Sequence, residues 1–348
     1  MQAIILVGGE GTRLRPLTYD LPKPMAPILG RPFIGWIIER MRESGVDDVI
    51  LSCGYLPDVI ESYFGDGTAY GVRLHYVFEE MPLGTAGAIR NAIDLIHGPI
   101  FACNGDILVG LDMRKLYETH VKSRAFATIH TRPVDDPSQY GVVETSPDGR
   151  VRRFVEKPKP GETDARDINA GTYVLEREAI EMIPSGRQVS IERETFPQLI
   201  RETNRVFAVS SDDYWIDVGR PETYVQAHRD ILDGKFEKPL GVEVGPRVWS
   251  ADGAPLPKGV RARGPVYIGP GAIIEDGATL EPYAVVYDRC RIRAGATLGA
   301  AILWPGCDIG KNAIVRDAIL GLDVEIAQGA NVAAGSVIGK GEPSAKSP

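Results

Sequence analysis

A glycine-rich turn carrying arginines follows the first apolar run: Gly8-Gly9-Glu10-Gly11-Thr12-Arg13-Leu14-Arg15-Pro16-Leu17-Thr18, with Pro22-Lys23-Pro24-Met25 shortly after. Glycines let backbone N–H groups approach phosphate oxygens, and Arg and Lys supply charge, so this segment reads as a polyphosphate cradle. It is not a Walker A loop, because G-x-x-x-x-G-K-[ST] is absent. Nor is it a dinucleotide fingerprint, since Leu14 occupies the third glycine position and Pro16 opposes an immediate helix. Farther on, the apolar run Pro99 to Cys103 ends in Asn104-Gly105-Asp106, which offers a carboxylate to a hard cation.

These groups need a scaffold. Ala3 to Val7, Asp48 to Cys53, Leu74 to Phe78 and Ile100 to Cys103 read as strands. Between Phe33 and Ser44, Ile34, Ile37, Ile38 and Met41 recur at helical spacing, and Gly45 provides a stop. This alternation up to about residue 232 predicts an α/β fold with a Rossmann-like, mainly parallel mixed sheet flanked by helices. Its ligand site is expected beyond the carboxyl ends of the strands, where both the Gly-rich turn and Asp106 lie.

From about Gly234 to Gly264 the chain turns rich in Pro and Gly, which reads as a junction. Beyond it, Ile268, Ile274, Leu280, Val286, Ile292 and Leu298 follow a strict six-residue interval, resumed at Ile309 and Val315 and, after a slip, at Ile326, Val332 and Ile338. That is a hexapeptide solenoid signature, and it predicts a parallel β-helix with a structural role. The expected division is a catalytic domain over 1–235, a junction over 236–265, the β-helix over 266–342 and a tail over 343–348.

Composition narrows the partners. A formal charge of -8 gives no basic footprint for nucleic acid, so a polyphosphate must be met by locally gathered cations and a divalent metal. Cys53, Cys103, Cys290 and Cys307 form no CxxC pair, which indicates buried thiols rather than zinc ligands or a disulfide framework. The opening apolar run is interrupted at Gly8, too soon for a signal or membrane segment, so a cytoplasmic protein without a membrane partner is expected.

Gly8 through Leu17 together with Pro22-Lys23-Pro24 resembles the signature of the sugar-phosphate nucleotidyltransferase family. With the solenoid included, the resemblance covers nearly the whole chain. It is nearest to the mannose-1-phosphate guanylyltransferases, which pair such a catalytic domain with a left-handed β-helix. It implies transfer of a nucleoside monophosphate from an NTP to a sugar 1-phosphate with release of pyrophosphate. The implied substrates are GTP and mannose 1-phosphate, with other NTPs and glucose, heptose or cyclitol phosphates as alternatives.

The resemblance also implies roles for particular residues. Arg13 would stabilise charge developing at the α-phosphate, and Lys23 would grip phosphate near the forming bond. Leu6, Gly8, Gly9, Gly11, Thr12 and Asn104 would line the nucleotide site. The segment Glu80 to Ala88 resembles the nucleobase-binding segment, placing Pro82, Gly84 and Thr85 there. Tyr214 to Gly219 resembles the second metal-binding segment, so Asp217 joins Asp106 as a ligand of Mg²⁺. Three later segments, Tyr140 to Val143, Val155 to Pro158 and Ile168 to Gly171, imply sugar-phosphate contacts from Gly141, Glu156, Lys157 and Asn169.

An attacking phosphate needs no general base, so the expected reaction rests on alignment and charge neutralisation. All five histidines lie outside these motifs and read as structural or surface residues. Acyl transfer on the solenoid is disfavoured because no histidine follows His228. A non-catalytic regulatory subunit that binds NDP-sugar is disfavoured because Arg13, Lys23, Asp106 and Asp217 are all present. An exposed solenoid face or end leads us to expect a homo-oligomer.

Overall fold

The β-branched run Gln2–Leu6 pairs in parallel on both sides, with Asp48–Cys53 and with Ile100–Asn104. In the computed structural model, residues 1–236 and 240–341 are described, and the expected tail at 343–348 lies outside them. Gln2–Leu6 belongs to a nine-stranded sheet whose main path runs 151–156, 141–145, 167–175, 100–104, 2–6, 48–53, 73–78. Strand 127–133 joins alongside 167–175, and 206–210 pairs in parallel with 127–133. The strands from 100–104 to 73–78 are parallel, whereas 167–175 runs antiparallel to its neighbours, so the sheet is mixed. The helix Phe33–Glu43 buries Phe33, Ile34, Trp36, Ile37, Ile38 and Met41, the face its periodicity indicated, and stops before Gly45, whose φ is 88°.

The chain divides into two units. The first takes Met1–Glu10 and Ile34–Ile216; the second takes Gly11–Phe33 and the described residues from Asp217 onward. The cationic part of the Gly-rich signature thus belongs with the C-terminal part of the chain.

In the second unit the hexapeptide positions stack by face. Ile268 pairs with Val286, Ile274 with Ile292 and Leu280 with Leu298, and each column continues in parallel through later coils. The three columns are the three faces of a left-handed β-helix. The slip in the six-residue period has a physical reason. Leu303 and Leu320 occupy inward seats five residues after Leu298 and Val315, because Ala300 and Asp317 turn each corner at φ 47° with one residue fewer. Each filled aliphatic seat contributes roughly 2 kcal/mol of burial, which is why the columns run unbroken.

The segment read as a junction carries strands of its own: Val242–Gly245 and Val248–Ser250 extend one column and Arg261–Ala262 another. All four cysteines are buried free thiols. Among the described residues, no helix is long and apolar enough to cross a membrane.

Three histidines are buried and lowered by desolvation to about 4: His120 and His130 in the first unit and His228 in the second. A histidine with a depressed folded-state pKa stays neutral in the native protein while its unfolded counterpart takes a proton. Its contribution is therefore complete above pH ~6.5 and is lost between there and about 4. We expect the melting temperature to be nearly level from pH 8 to 6.5 and to fall steeply toward pH 4. A level profile through that window would show that these histidines are not held neutral.

Candidate active site

In the first unit, the candidate residues stand at strand ends. Leu6 closes the central strand; its carbonyl accepts from Gly105 N at 2.9 Å, and Val7 N donates to Ser52 O at 2.9 Å. At Gly8 a Cβ would stand 2.6 Å from Glu79 Oε1, whereas Gly9 faces open space. Glu79, which no motif or spacing singles out, accepts from Ser52 Oγ and from Leu83 N at 3.0 Å, tying the Gly-rich turn to the Pro82–Thr85 segment. Asn104 ends its strand with a buried Oδ1 that has no hydrogen-bond partner among the described residues, an acceptor at the strand end where a ligand is expected. Asp106 follows, half-buried, held by Gly105, where any Cβ would collide with Leu6 O and Val7.

Pro82 is exposed, and Gly84 opens the helix Gly84–Asn91 at φ 68°. A Cβ at Gly84 would meet Val189 O at 2.7 Å, so packing against this carbonyl also requires glycine there. Thr85 Oγ1 donates to Glu192 Oε2 at 3.0 Å and accepts from Ile191 N at 2.8 Å. Glu192 was missed because no local spacing links it to Thr85, 107 residues away.

Gly141, Glu156, Lys157 and Asn169 lie together on neighbouring antiparallel strands and their ends. Gly141 is directly opposite Glu156, and a Cβ there would meet Phe154 and Glu156 Oε2. Lys157 leaves the strand at φ 51°, its N–H bonded to Tyr140 O, with its side chain exposed. Asn169 sits at a bulge, donating to Tyr173 OH at 2.8 Å and accepting from Gly171 N at 3.0 Å, so its amide is fixed in orientation.

Burial, reinforced by the neighbouring Glu192 carboxylate and offset by Lys157 and Arg193, raises Glu156 above the ordinary glutamate range. If ionised Glu156 accepts from a sugar hydroxyl, the sugar-phosphate KM rises as pH falls through this elevated pKa. Glu192→Gln should shift that inflection to lower pH relative to the unmodified chain. Superimposable KM profiles would remove Glu192 from the site.

In the second unit, Thr12–Leu14 and Lys23–Met25 each form a single 3₁₀ turn. Gly11 joins them: it takes φ 64°, accepts from Thr18 Oγ1 at 3.0 Å, and leaves only the space its missing Cβ would fill, 2.7 Å from Lys23 Cβ. Lys23 is half-buried, and Thr12 and Arg13 are exposed. Arg13 and Asp217 come together over Gly219, where a Cβ would stand 2.7 Å from Asp217 Oδ1 and 2.8 Å from Arg13 Nη2. A guanidinium beside a half-buried carboxylate suits a group that handles anionic oxygens through both a fixed cation and a metal.

A Rossmann-like sheet with a Gly-rich strand-end turn, an arginine beside an aspartate, and a β-helix fit a phosphate-handling α/β enzyme. Residues 2–234 match the nucleotidyl transferase family, and residues 262–342 match the GMPPB C-terminal domain. The mannose-1-phosphate guanylyltransferase of Mycobacterium tuberculosis is 41% identical over 86% of this chain and 83% of its own length. The UTP–glucose-1-phosphate uridylyltransferase of Synechocystis is 34% identical over 92% of this chain and 87% of its own. Mannose-1-phosphate guanylyltransferase 1 of Arabidopsis thaliana is 33% identical over 98% and 91%, respectively. Among solved structures, HddC from Yersinia pseudotuberculosis in complex with GMP-PN superposes with a TM-score of 0.57 at 33% identity, covering 66% of this chain and 98% of HddC. The chain belongs to the nucleotidyl transferase family, whose enzymes generally use a divalent metal.

Proposed function

We propose that this protein transfers GMP from GTP to mannose 1-phosphate, forming GDP-mannose and releasing pyrophosphate. The observation that carries this reading is the similarity to mannose-1-phosphate guanylyltransferases through both the catalytic region and the β-helix. The likeness to HddC bound to GMP-PN supports a guanine nucleotide. The uridylyltransferase relative supports a second reading, UTP with glucose 1-phosphate.

In the proposed reaction, an oxygen of the sugar phosphate attacks the α-phosphorus in line and pyrophosphate leaves. Gly8, Gly9, Gly11 and Thr12 bring backbone N–H groups to the triphosphate, and Leu6 and Asn104 bound the nucleoside. Pro82, Gly84 and Thr85 receive the base. Arg13 and Lys23 stabilise charge developing around the α-phosphate, and Lys157 holds the attacking phosphate. Glu156 and Asn169 orient sugar hydroxyls, and Gly141 leaves room for the ring.

Asp106 and Asp217 are proposed as the ligands of Mg²⁺. Two carboxylates with further oxygens from substrate suit this cation, and among the described residues no cluster of three or more His, Cys, Asp or Glu forms a protein-only metal cage. When bound, the metal supplies Lewis-acid neutralisation of phosphate oxygens. The domain division given above, a cytoplasmic location and a homo-oligomer are part of the same proposal. The test is pyrophosphate release across NTPs and sugar phosphates, where a maximum with UTP and glucose 1-phosphate would replace the substrates and keep the reaction.

A further inference from the structure

The segment that follows Lys23 is held by the β-helix at an unusual turn. Pro27–Ile28 and Arg31–Pro32 pair as a short hairpin, and both residues between them, Leu29 at φ 40° and Gly30 at φ 92°, have positive φ. Mirror-image turns of this kind favour Asn, Asp or Gly, and leucine has no side-chain acceptor to stabilise the left-handed conformation locally. Leu29 is buried, so its backbone N–H also cannot reach water.

The β-helix supplies what the local sequence lacks. Leu29 N donates to Tyr287 Oη at 2.6 Å, and the same hydroxyl lies 2.8 Å from Pro27 O and 2.8 Å from His228 Nε2. His228 Nδ1 donates to Tyr224 O, which leaves Nε2 of the neutral ring as an acceptor, so the single Tyr287 proton serves Pro27 O or His228. Tyr224 also donates to Pro27 O, and its oxygen accepts from Trp304 Nε1 at 2.8 Å. Tyr267 Oη fills the place where a side chain on Gly30 would go. The hairpin is tied back to Lys23 through Ala26, whose N–H donates to Lys23 O at 3.0 Å and whose carbonyl accepts from Phe33 N at 2.9 Å.

We propose that Tyr287 is a positioning residue for Lys23, so that the β-helix sets the geometry of a catalytic cation through the Pro27–Pro32 hairpin. The proposal rests on the role given to Lys23 above. Tyr287→Phe leaves the Leu29 N–H without its partner and frees the turn, while every substrate-contacting side chain remains.

The experiment uses the full chain and compares Tyr287→Phe, Lys23→Ala and the double variant, each checked by circular dichroism and melting temperature. Tyr287→Phe should lower kcat about tenfold with KM for both substrates within about twofold, since misplacement of a group acting on the transition state appears in turnover. In the Lys23→Ala background the same change should cost less than about twofold, because the two residues act as a unit. Val332→Ala, a core truncation in a later coil, should lose melting temperature and keep kcat.

Unchanged kcat in folded Tyr287→Phe, or a full further tenfold loss in the double variant, would overturn the positioning role while leaving Lys23 in the site. Wild-type turnover in Lys23→Ala would instead overturn the reading of Lys23 and this proposal with it. Should Tyr287→Phe fail to fold, Tyr224→Phe, which removes a second donor from Pro27 O of the same hairpin while leaving Leu29 N on Tyr287, goes through the same cycle: a kcat loss that vanishes in the Lys23→Ala background is expected, and an unchanged kcat would overturn the coupling of the hairpin to Lys23.

Discussion

Lys23→Ala is expected to lower turnover by about 10²- to 10³-fold, the range seen when one fixed donor is removed from developing negative charge. The effect should be large because the side chain is half-buried and its stem lies against Gly11, which limits where its ammonium can go. The fold should survive, since Lys23 occupies a single 3₁₀ turn whose backbone bonds do not use the side chain. Lys23→Arg should recover little, because a planar fork cannot reproduce a compact ammonium at the end of this stem. Steady-state pyrophosphate release from the purified variant is the measurement, and turnover within threefold of the parent would overturn the assignment.

Asp106→Asn should have a comparable or larger effect, and so should Asp217→Asn, with a different signature. If each carboxylate binds the metal, its loss forfeits part of several kcal/mol of transition-state neutralisation, roughly 10³-fold in rate. The asparagine variants keep the side-chain shape, so the loss reports charge and not packing. Their turnover should also require more Mg²⁺ for half-saturation than the parent. A Mg²⁺ titration of either variant that overlays the parent curve would show that the residue does not ligate the metal. Arg13, which meets Asp217 over Gly219, offers a control: its removal should lower turnover and leave the metal requirement nearer normal.

Much of this was legible in the sequence because the signals were local. The Gly-rich turn must bend where it does, since Gly11 needs φ 64° and contact with Lys23. The inward column Ile274, Ile292, Ile309, Ile326 is written at nearly constant spacing, because every coil must bury one aliphatic residue per face. What escaped was long-range. Glu192 reaches Thr85 and bears on Glu156 only once the strands and the Ser190 turn have folded. Glu79 bridges Ser52 and Leu83, two contacts with no shared periodicity. Tyr287 lies within the solenoid repeat, and nothing local ties its hydroxyl to a turn more than 250 residues earlier, at Leu29. The strands at Val242–Gly245 and Val248–Ser250 lie in a Pro- and Gly-rich stretch, where such composition masks pairing supplied by the next coil.

One assay decides whether the protein carries out the proposed reaction: pyrophosphate release by the purified chain with Mg²⁺, each of four NTPs, and a panel of sugar and cyclitol phosphates. The structure and its relatives lead us to expect turnover that peaks with GTP and mannose 1-phosphate and yields GDP-mannose. No pyrophosphate from any pair, with GDP-mannose still bound by the folded protein, would contradict a catalytic role and establish a regulatory nucleotide-sugar-binding subunit instead.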